Sequence, residues 1–354
     1  MQLVQHPATV QVVIPARNEQ DCLGRCLESL VNQQGISFQI TVVDDGSTDR
    51  TRAIAESFAG VSVISAGEPA PGVMGKCNAL ITGTRGATAE WLLLTDADTF
   101  HYPGSLAAAV HEANEHCAQL LSYSPEQETG SLAELALLPV IFAELVRSYP
   151  PQRVNDPLDP IAAVNGQYLL VRRQDYEELG GHAAVAGKVL EDVELALLFK
   201  RSGRKLRFRQ GEGLVRTRMY RDFRSMVEGW TKNLALLFPR PRQLALIRAT
   251  EFLSIPLAFL LGTALTTWRR DLAAICFAGS ILDYLLFLAR IRKAHFPWRA
   301  NIAAFFGLPL FAYLLRRSWF HFNVRHAVIW KGRRYVQSEP SAPLSSSIRK
   351  GSLS

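Results

Sequence analysis

Cysteine is scarce and scattered. The five residues, Cys22, Cys26, Cys77, Cys117 and Cys276, form no metal-spaced cluster, and their number is odd. That argues against a disulfide framework and a thiolate metal site, and it fits reduced thiols in a cytosol-facing protein. No Gly-x-Gly-x-x-Gly follows the first apolar strand, which disfavours a dinucleotide oxidoreductase. Neither a signal peptide nor an apolar span precedes that strand. Acid is what the second half lacks most. Residues 200–354 hold 7 Asp and Glu against 28 Lys and Arg, whereas residues 1–199 hold 25 against 11, so the net charge of +7 hides a division. No nucleic-acid motif accompanies the basic half, and nucleic acid is not expected as a partner.

What is present begins with Trp91-Leu92-Leu93-Leu94-Thr95-Asp96-Ala97-Asp98, an apolar run ending in two carboxylates one residue apart. The run reads as a buried strand. Its carboxyl end is where open α/β sheets bind ligands, and hard carboxylate oxygens suit Mg²⁺ or Mn²⁺ carrying a diphosphate. Upstream, residues 10–14 form a first strand stopped by Pro15. Residues 21–33 repeat Leu23, Leu27, Leu30 and Val31 at helical spacing, and 38–43 form a second strand that runs into Asp44-Asp45-Gly46-Ser47-Thr48-Asp49. A short helix over 49–58, a strand over 61–65, a Gly/Pro loop over 67–75 and a helix over 76–86 follow. The pattern is that of a doubly wound α/β sheet with its acidic loops on one edge. Single motifs stay open to plainer readings. Asp44, Asp45 and Asp49 also suit a turn and an N-cap, and Glu191, Asp192 and Glu194 also suit the acidic first turn of a helix.

Taken together and in order, Val-Ile-Pro-Ala-Arg-Asn-Glu at 13–19, Val-Val-Asp-Asp-Gly-Ser-Thr-Asp at 42–49, Gly-Lys-Cys-Asn-Ala-Leu at 75–80, Asp-Ala-Asp at 96–98 and Glu-Asp-Val-Glu-Leu at 191–195 resemble the motif set of the inverting family 2 glycosyltransferases with the GT-A fold. Arg218-Met219-Tyr220, Glu228-Gly229-Trp230-Thr231-Lys232 and Trp330-Lys331-Gly332-Arg333-Arg334-Tyr335 resemble the bacterial carotenoid-acid branch, the 4,4′-diaponeurosporenoate glycosyltransferases. The resemblance implies a nucleotide-sugar pocket framed by Pro15, Arg17 and Glu19, with Asp45 on the uracil of a UDP-sugar. It places Asp96 and Asp98 at the ribose and metal site, with Asp98 as the metal ligand, and makes Asp192 the general base of a single inverting displacement. Lys76 and Asn78 follow a glycine turn at a helix start, where a cation, an amide and free N–H groups suit phosphate or sugar hydroxyls. Glu191, Glu228 and Trp230 belong by the same resemblance to the acceptor site. One departure stands out: many relatives carry an Arg directly before the Trp, whereas this chain reads Met226-Val227-Glu228-Gly229-Trp230. Lys232, Arg218 or Arg221 is then left to supply that positive charge.

The basic half is also apolar. Residues 252–268 and 272–289 are each long enough for a slightly short transmembrane helix, and each ends in arginines. Residues 302–315, with Pro309, are shorter and suggest a re-entrant or interfacial segment. Arginine-flanked spans predict a multi-pass cell-membrane protein with its catalytic domain cytoplasmic. Residues 131–147 read either as a buried helix of the catalytic domain or as an interfacial helix on the path of a lipid acceptor. The expected domains are a GT-A catalytic domain over 1–245, membrane-associated helices and a basic motif over 246–336, and a disordered tail over 337–354. The expected activity is metal-dependent transfer of a hexose from a UDP-sugar to a lipid or isoprenoid, carotenoid-like acceptor. The alternatives are a processive polysaccharide synthase and a non-catalytic, membrane-bound, sugar-binding scaffold.

Overall fold

The computed structural model describes residues 9–330 and 333–336. The expected tail over 337–354, and Lys331 and Gly332 of the basic motif, lie outside the described residues. The chain divides into two compact units. The first comprises residues up to Glu128 together with Pro151–Met219; the second comprises Thr129–Pro150 and the chain from Tyr220 onward. The stretch expected as one catalytic domain over 1–245 is thus shared between the units.

In the first unit the strands are β1 (Val10–Ala16), β2 (Phe38–Asp44), β3 (Val61–Ser65), β4 (Trp91–Thr95), β5 (Thr99–His101), β6 (Leu120–Ser124), β7 (Glu126–Gln127), β8 (Tyr168–Arg172), β9 (Leu206–Gln210) and β10 (Val215–Thr217). Its helices are α1 (Leu23–Val31), α2 (Thr51–Glu56), α3 (Gly75–Thr84), α4 (Ser105–Glu115), α6 (Pro151–Asn155), α7 (Arg173–Glu178) and α8 (Glu191–Arg201), and α5 (Leu132–Ser148) belongs to the second unit. Seven strands form the main sheet in the order β3-β2-β1-β4-β8-β6-β9. All neighbours are parallel except β8, which runs antiparallel between β4 and β6. The register sets Ala16 beside Asp44. Residues 17, 45 and 96 thus each follow directly on the carboxyl end of a parallel strand.

β1 continues through Pro15 instead of stopping there. Past Val13 its ladder with β4 has ended and it pairs with β2 alone. A strand with one remaining partner tolerates a residue without an N–H. Val12, Ile14, Leu27, Leu30, Val42, Trp91 and Leu93 are buried in one core, and fully burying such a side chain is worth about 1.5–3 kcal/mol. On α3, a Cβ at Gly83 would strike Val13 and Val43, so glycine there lets α3 press onto β1 and β2.

The second unit holds α5, α9 (Phe223–Leu237), α10 (Pro241–Leu265), α11 (Arg270–Ile291), α12 (Trp298–Asn323) and a hairpin of β11 (Ala327–Trp330) and β12 (Arg333–Val336). Ser131 caps α5 by accepting from the Glu134 N–H at 3.2 Å, while the Glu134 carboxylate accepts from the N–H of Gly130, the residue before the cap, at 2.6 Å. α10, α11 and α12 are long and apolar enough to cross a membrane. Leu253, Leu257, Leu260, Ile275, Leu282 and Leu286 stand exposed on the first two, a surface that suits lipid and not water.

The re-entrant turn expected over 302–315 is not present. One continuous helix runs from Trp298 to Asn323 through Pro309. Proline inside a helix costs about 3 kcal/mol by removing a hydrogen bond. Close packing against α5 offsets this: a Cβ at Gly307 would strike the backbone of Ala136, so the two helices meet at van der Waals distance.

Candidate active site

The first unit gathers a charged cluster at the carboxyl edge of its sheet. The Gly75 turn opens α3 and presents Lys76, whose Nζ lies 2.7 Å from Asp96 Oδ1 and 3.6 Å from Glu191 Oε1. Burial works against the ammonium charge. The carboxylates of Asp96, Glu191 and Asp192 outweigh it and hold Lys76 well above the usual lysine range, so it stays a cation. Asp96 is delivered by the end of β4, and Glu191 by the first residue of α8.

Asp192 is fixed by two backbone donors. Its Oδ2 accepts from the Gly166 N–H at 2.9 Å, and its Oδ1 from the Val193 N–H at 2.8 Å. Desolvation and the neighbouring Glu191 raise its carboxyl to about 6, against the pull of Lys76 and the two N–H groups. A carboxylate tuned toward neutrality is suited to taking a proton.

Gly166 is tied to that role by space as well as by its hydrogen bond. A Cβ there would stand 2.8 Å from Asp192 Oδ2 and 3.1 Å from its Cβ. Gly166→Ala is therefore expected to displace the carboxylate and lower turnover about tenfold or more, with nucleotide-sugar affinity retained. Steady-state kinetics beside a nucleotide-binding titration checks this, and unchanged kcat would show that the Gly166 turn does not position Asp192.

Asp98 lies on the turn after β4. Its Oδ2 is 3.5 Å from Gln167 Nε2, and its backbone carbonyl accepts from Thr217 Oγ1 at 3.2 Å. Beneath the turn, Thr95 Oγ1 donates to the Gln167 carbonyl at 2.7 Å and Thr99 Oγ1 donates to the Asp96 carbonyl at 2.7 Å. His101 Nε2 reaches both threonine hydroxyls, at 3.3 and 3.1 Å. Burial holds the imidazole down at about 3, so it is neutral and serves the polar floor without adding charge.

The residues expected to frame the nucleotide form a second group on the same sheet edge. Arg17 Nη1 donates to the Asp45 carbonyl at 2.8 Å and lies 3.8 Å from its carboxylate, and Asp45 is buried. Asn18 has a left-handed backbone, φ 54°, and its side-chain oxygen accepts from the Thr48 N–H at 2.8 Å, lacing the loops after β1 and β2. Glu19 donates its N–H to Thr51 Oγ1 at 2.7 Å. Asp49 accepts from the Thr51 and Gln20 N–H groups, so turn and capping chemistry accounts for that residue. Asn78 donates its amide to the carbonyls of Ala66 and Gly67 at 3.0 and 3.1 Å, clamping the loop after β3. Pro15 sits within β1.

Glu228 and Trp230 lie on α9 in the second unit. Glu228 pairs with Arg224 at 3.2 Å. Trp230 is buried between Phe142 and Tyr220, with ring centroids 6.3 and 6.1 Å away, and Gly229 leaves room for the Tyr220 ring. Sequence reasoning missed Gly166, Gln167, Thr95, Thr99 and His101 as positioning residues. Of these only Gly166 and Gln167 carry a signal in the sequence, an Asn-Gly-Gln turn ahead of the apolar run 168–171.

Among the described residues no group of three or more His, Cys, Asp or Glu gathers as a metal site. The donor chemistry of Asp96 and Asp98 still fits a divalent cation of the Mg²⁺ type. Such ions keep several waters and bind through one or two carboxylates plus substrate phosphate, rather than in an all-protein cage.

Several known proteins are similar to this chain. Residues 11–180 match the family Glycosyl transferase family 2. The 4,4'-diaponeurosporenoate glycosyltransferase of Staphylococcus aureus (strain MRSA252) is 28% identical over 342 residues, covering 93% of this chain and 88% of the relative. Among solved structures, the mannosyltransferase PcManGT from Pyrobaculum calidifontis, in complex with GDP-Man and Mn²⁺, is 18% identical with a TM-score of 0.48, covering 90% of this chain and 87% of that one. A glucosyl-3-phosphoglycerate synthase from Mycobacterium tuberculosis, in complex with Mn²⁺, UDP and glucosyl-3-phosphoglycerate, is 21% identical with a TM-score of 0.41, covering 62% and 75%. The sheet is of the GT-A type, residues 11–180 are a family 2 glycosyl transferase domain, and the chain that carries it is a glycosyltransferase.

Proposed function

We propose that this glycosyltransferase moves a hexose from a UDP-sugar to a lipid or carotenoid-like acceptor at a membrane, with inversion at the anomeric carbon. The observation that carries the reading is the placement of Asp192: a carboxyl raised to about 6, held by two N–H groups, in a cluster whose single lysine touches Asp96 and Glu191. Asp192 accepts the acceptor's proton as the new glycosidic bond forms. Lys76 holds positive charge beside the carboxylates as negative charge grows on the departing diphosphate. Arg17 and Asp45, joined to each other past the ends of β1 and β2, frame the nucleotide.

Asp96 and Asp98 would hold Mg²⁺ or Mn²⁺, which when bound supplies Lewis-acid stabilisation of the leaving UDP. The acceptor class rests on two supports. A relative named for 4,4'-diaponeurosporenoate spans 93% of this chain, and α10 and α11 turn apolar residues outward along most of their length. Two membrane crossings by these helices, with the catalytic unit on the cytoplasmic side, agree with the arginines that flank them.

Lipid extracts of cells with and without the protein, compared by mass spectrometry, are expected to differ by hexosylated apolar species. Purified protein is expected to release UDP from a UDP-hexose only when a divalent cation is supplied. Sugar transfer confined to soluble acceptors, or transfer from another nucleotide sugar alone, would overturn the donor and acceptor assignments.

A further inference from the structure

Three helices have the length and composition of membrane spans, yet they are not alike. In their most apolar windows α10 is 22% buried and α11 17%, whereas α12 is 50% buried within the protein. α10 and α11 lie bare against each other: Phe259 meets Phe277 at 5.2 Å, and Gly262 leaves room for the Phe277 ring. Where the pair ends, charges tie it to α5. Arg248 Nε is 3.0 Å from Glu144 and its Nη1 is 2.6 Å from Glu251, while Arg290 Nη2 is 2.8 Å from Glu251. This network marks where the two helices leave the apolar layer.

The ring and hydrogen-bond contacts of α12 begin at that boundary and lead away from the layer. Phe305 packs on Phe252 and Phe287 at 5.1 and 5.9 Å, one and three residues from the charged Glu251 and Arg290. Phe311 then meets Phe238 at 6.1 Å, ahead of the start of α10. Arg317 donates to Thr231 Oγ1 at 3.2 Å, and Ser318 Oγ accepts from the Ala235 N–H at 2.8 Å, both on α9. As α12 advances, its partners retreat from the middle of α10 to its first turn, where Arg242 lies over the Trp319 ring at 4.7 Å, and into a helix that carries Arg224, Glu228 and Lys232. Hydrocarbon cannot surround such a helix.

The face of α12 turned away from these partners is a single stripe. Trp298, Ile302, Phe306, Pro309, Tyr313, Arg316 and Phe320 are all exposed, at steps of three or four residues that keep them on one side. Phe306 is 70% exposed. The helix contains no acid, Arg299 and Arg316 are exposed on it, and Arg292 stacks over Trp298 at 4.9 Å. Apolar and aromatic residues on one face, with arginines free to reach headgroups, match the interface of an anionic bilayer.

We propose that α12 is not a third crossing but lies in the membrane interface, its Trp298–Phe320 stripe seated at the boundary of headgroups and acyl chains. The proposal rests on the membrane reading given under the proposed function and specifies it: two crossings, with the chain before α10 and the chain after α11 on one side.

The test uses the full-length protein in sealed vesicles of phosphatidylcholine and phosphatidylglycerol. Cys22, Cys117 and Cys276 are replaced by serine, and the buried Cys26 and Cys77 are kept. Arg270→Cys, Lys293→Cys and Val324→Cys, all at exposed positions, report sidedness with a membrane-impermeant thiol reagent. Ile302→Cys, Phe306→Cys and Tyr313→Cys, each carrying a fluorophore, report depth by quenching from lipids with a nitroxide high or low on the acyl chain. The expected result is that positions 293 and 324 label from one face and 270 from the other. All three depth probes should be quenched by the shallow nitroxide and little by the deep one. Position 324 labelling with 270, or quenching that deepens along the helix, would make α12 a third crossing. Absence of quenching by either lipid would place α12 in water; both results overturn the proposal. Position 270 labelling with 293 would instead show that α10 and α11 do not cross, which sinks the spanning reading while the quenching still decides the place of α12.

Discussion

Asp192→Asn is expected to lower sugar transfer by at least about a hundredfold, the lower end of what a positioned proton acceptor contributes, while nucleotide-sugar affinity stays near its original value. The asparagine amide has the shape of the carboxylate and still offers one oxygen to the Gly166 or Val193 N–H, so the turn before β8 and the start of α8 remain in place. What it cannot do is take a proton. The pH profile of the unmodified protein carries the same signature. Because desolvation and Glu191 raise the Asp192 carboxyl to about 6, the active, deprotonated form is present above that pH and is lost as pH falls through it. kcat/KM is therefore expected to drop about tenfold per pH unit below 6 and to level off above it. The residual activity of Asp192→Asn should show no inflexion there. An inflexion that survives the substitution assigns the titration to another group. Loss of nucleotide-sugar binding in step with transfer moves Asp192 into the donor site.

The local part of this site was legible in the sequence, and the reason is geometric. β1, β2 and β4 are apolar runs that stop in polar residues, and in a parallel sheet those stops share one edge, so Arg17, Asp45 and Asp96 could be placed together without coordinates. Lys76 was legible as a cation after a glycine turn, but not as the partner of Asp96 and Glu191, residues 20 and 115 positions later in the chain. Gly166 and Gln167 were hidden for the same cause. Their importance lies in what stands across from them, Asp192 and Asp98, and the periodicity of β8 carries no trace of it. The polar floor of Thr95, Thr99 and His101 was overshadowed by the acidic pair it supports.

In the apolar half, composition marked α10 and α11 and left a re-entrant or an interfacial segment open for the residues of α12, of which the continuous helix rules out the first. Proline and a short apolar run around 302–315 suggested a segment that turns back or lies in the interface. The helix instead runs on in both directions, because flanking residues such as Asn301 and Ser318 are covered by protein and need not be apolar. Hydropathy measures how well a segment tolerates lipid; it does not register burial against α5 and α9.

Asp98→Asn is expected to cut transfer by about a thousandfold or more with the fold intact. The two residues of the acidic turn differ in what already holds them. Asp96 faces the Lys76 ammonium at 2.7 Å, and the Asp98 carboxylate lies 3.5 Å from the side-chain amide of Gln167. A cation brought by a nucleotide diphosphate would meet carboxylate oxygens at this turn, and hard oxygen donors of full charge are what Mg²⁺ and Mn²⁺ prefer. Asparagine keeps the shape and the acceptor for Gln167 but removes that charge. Several kcal/mol of stabilisation at the leaving diphosphate corresponds to about three powers of ten in rate. The loss should appear in kcat and in the cation concentration needed for half-maximal turnover, with thermal unfolding in the absence of cation unchanged. Binding of Mn²⁺ in the presence of UDP, followed by the relaxation of water protons, gives a readout independent of activity and should weaken in the same variant. Full turnover by Asp98→Asn, or by the unmodified protein in excess EDTA, would leave Lys76 as the cation that balances the departing diphosphate.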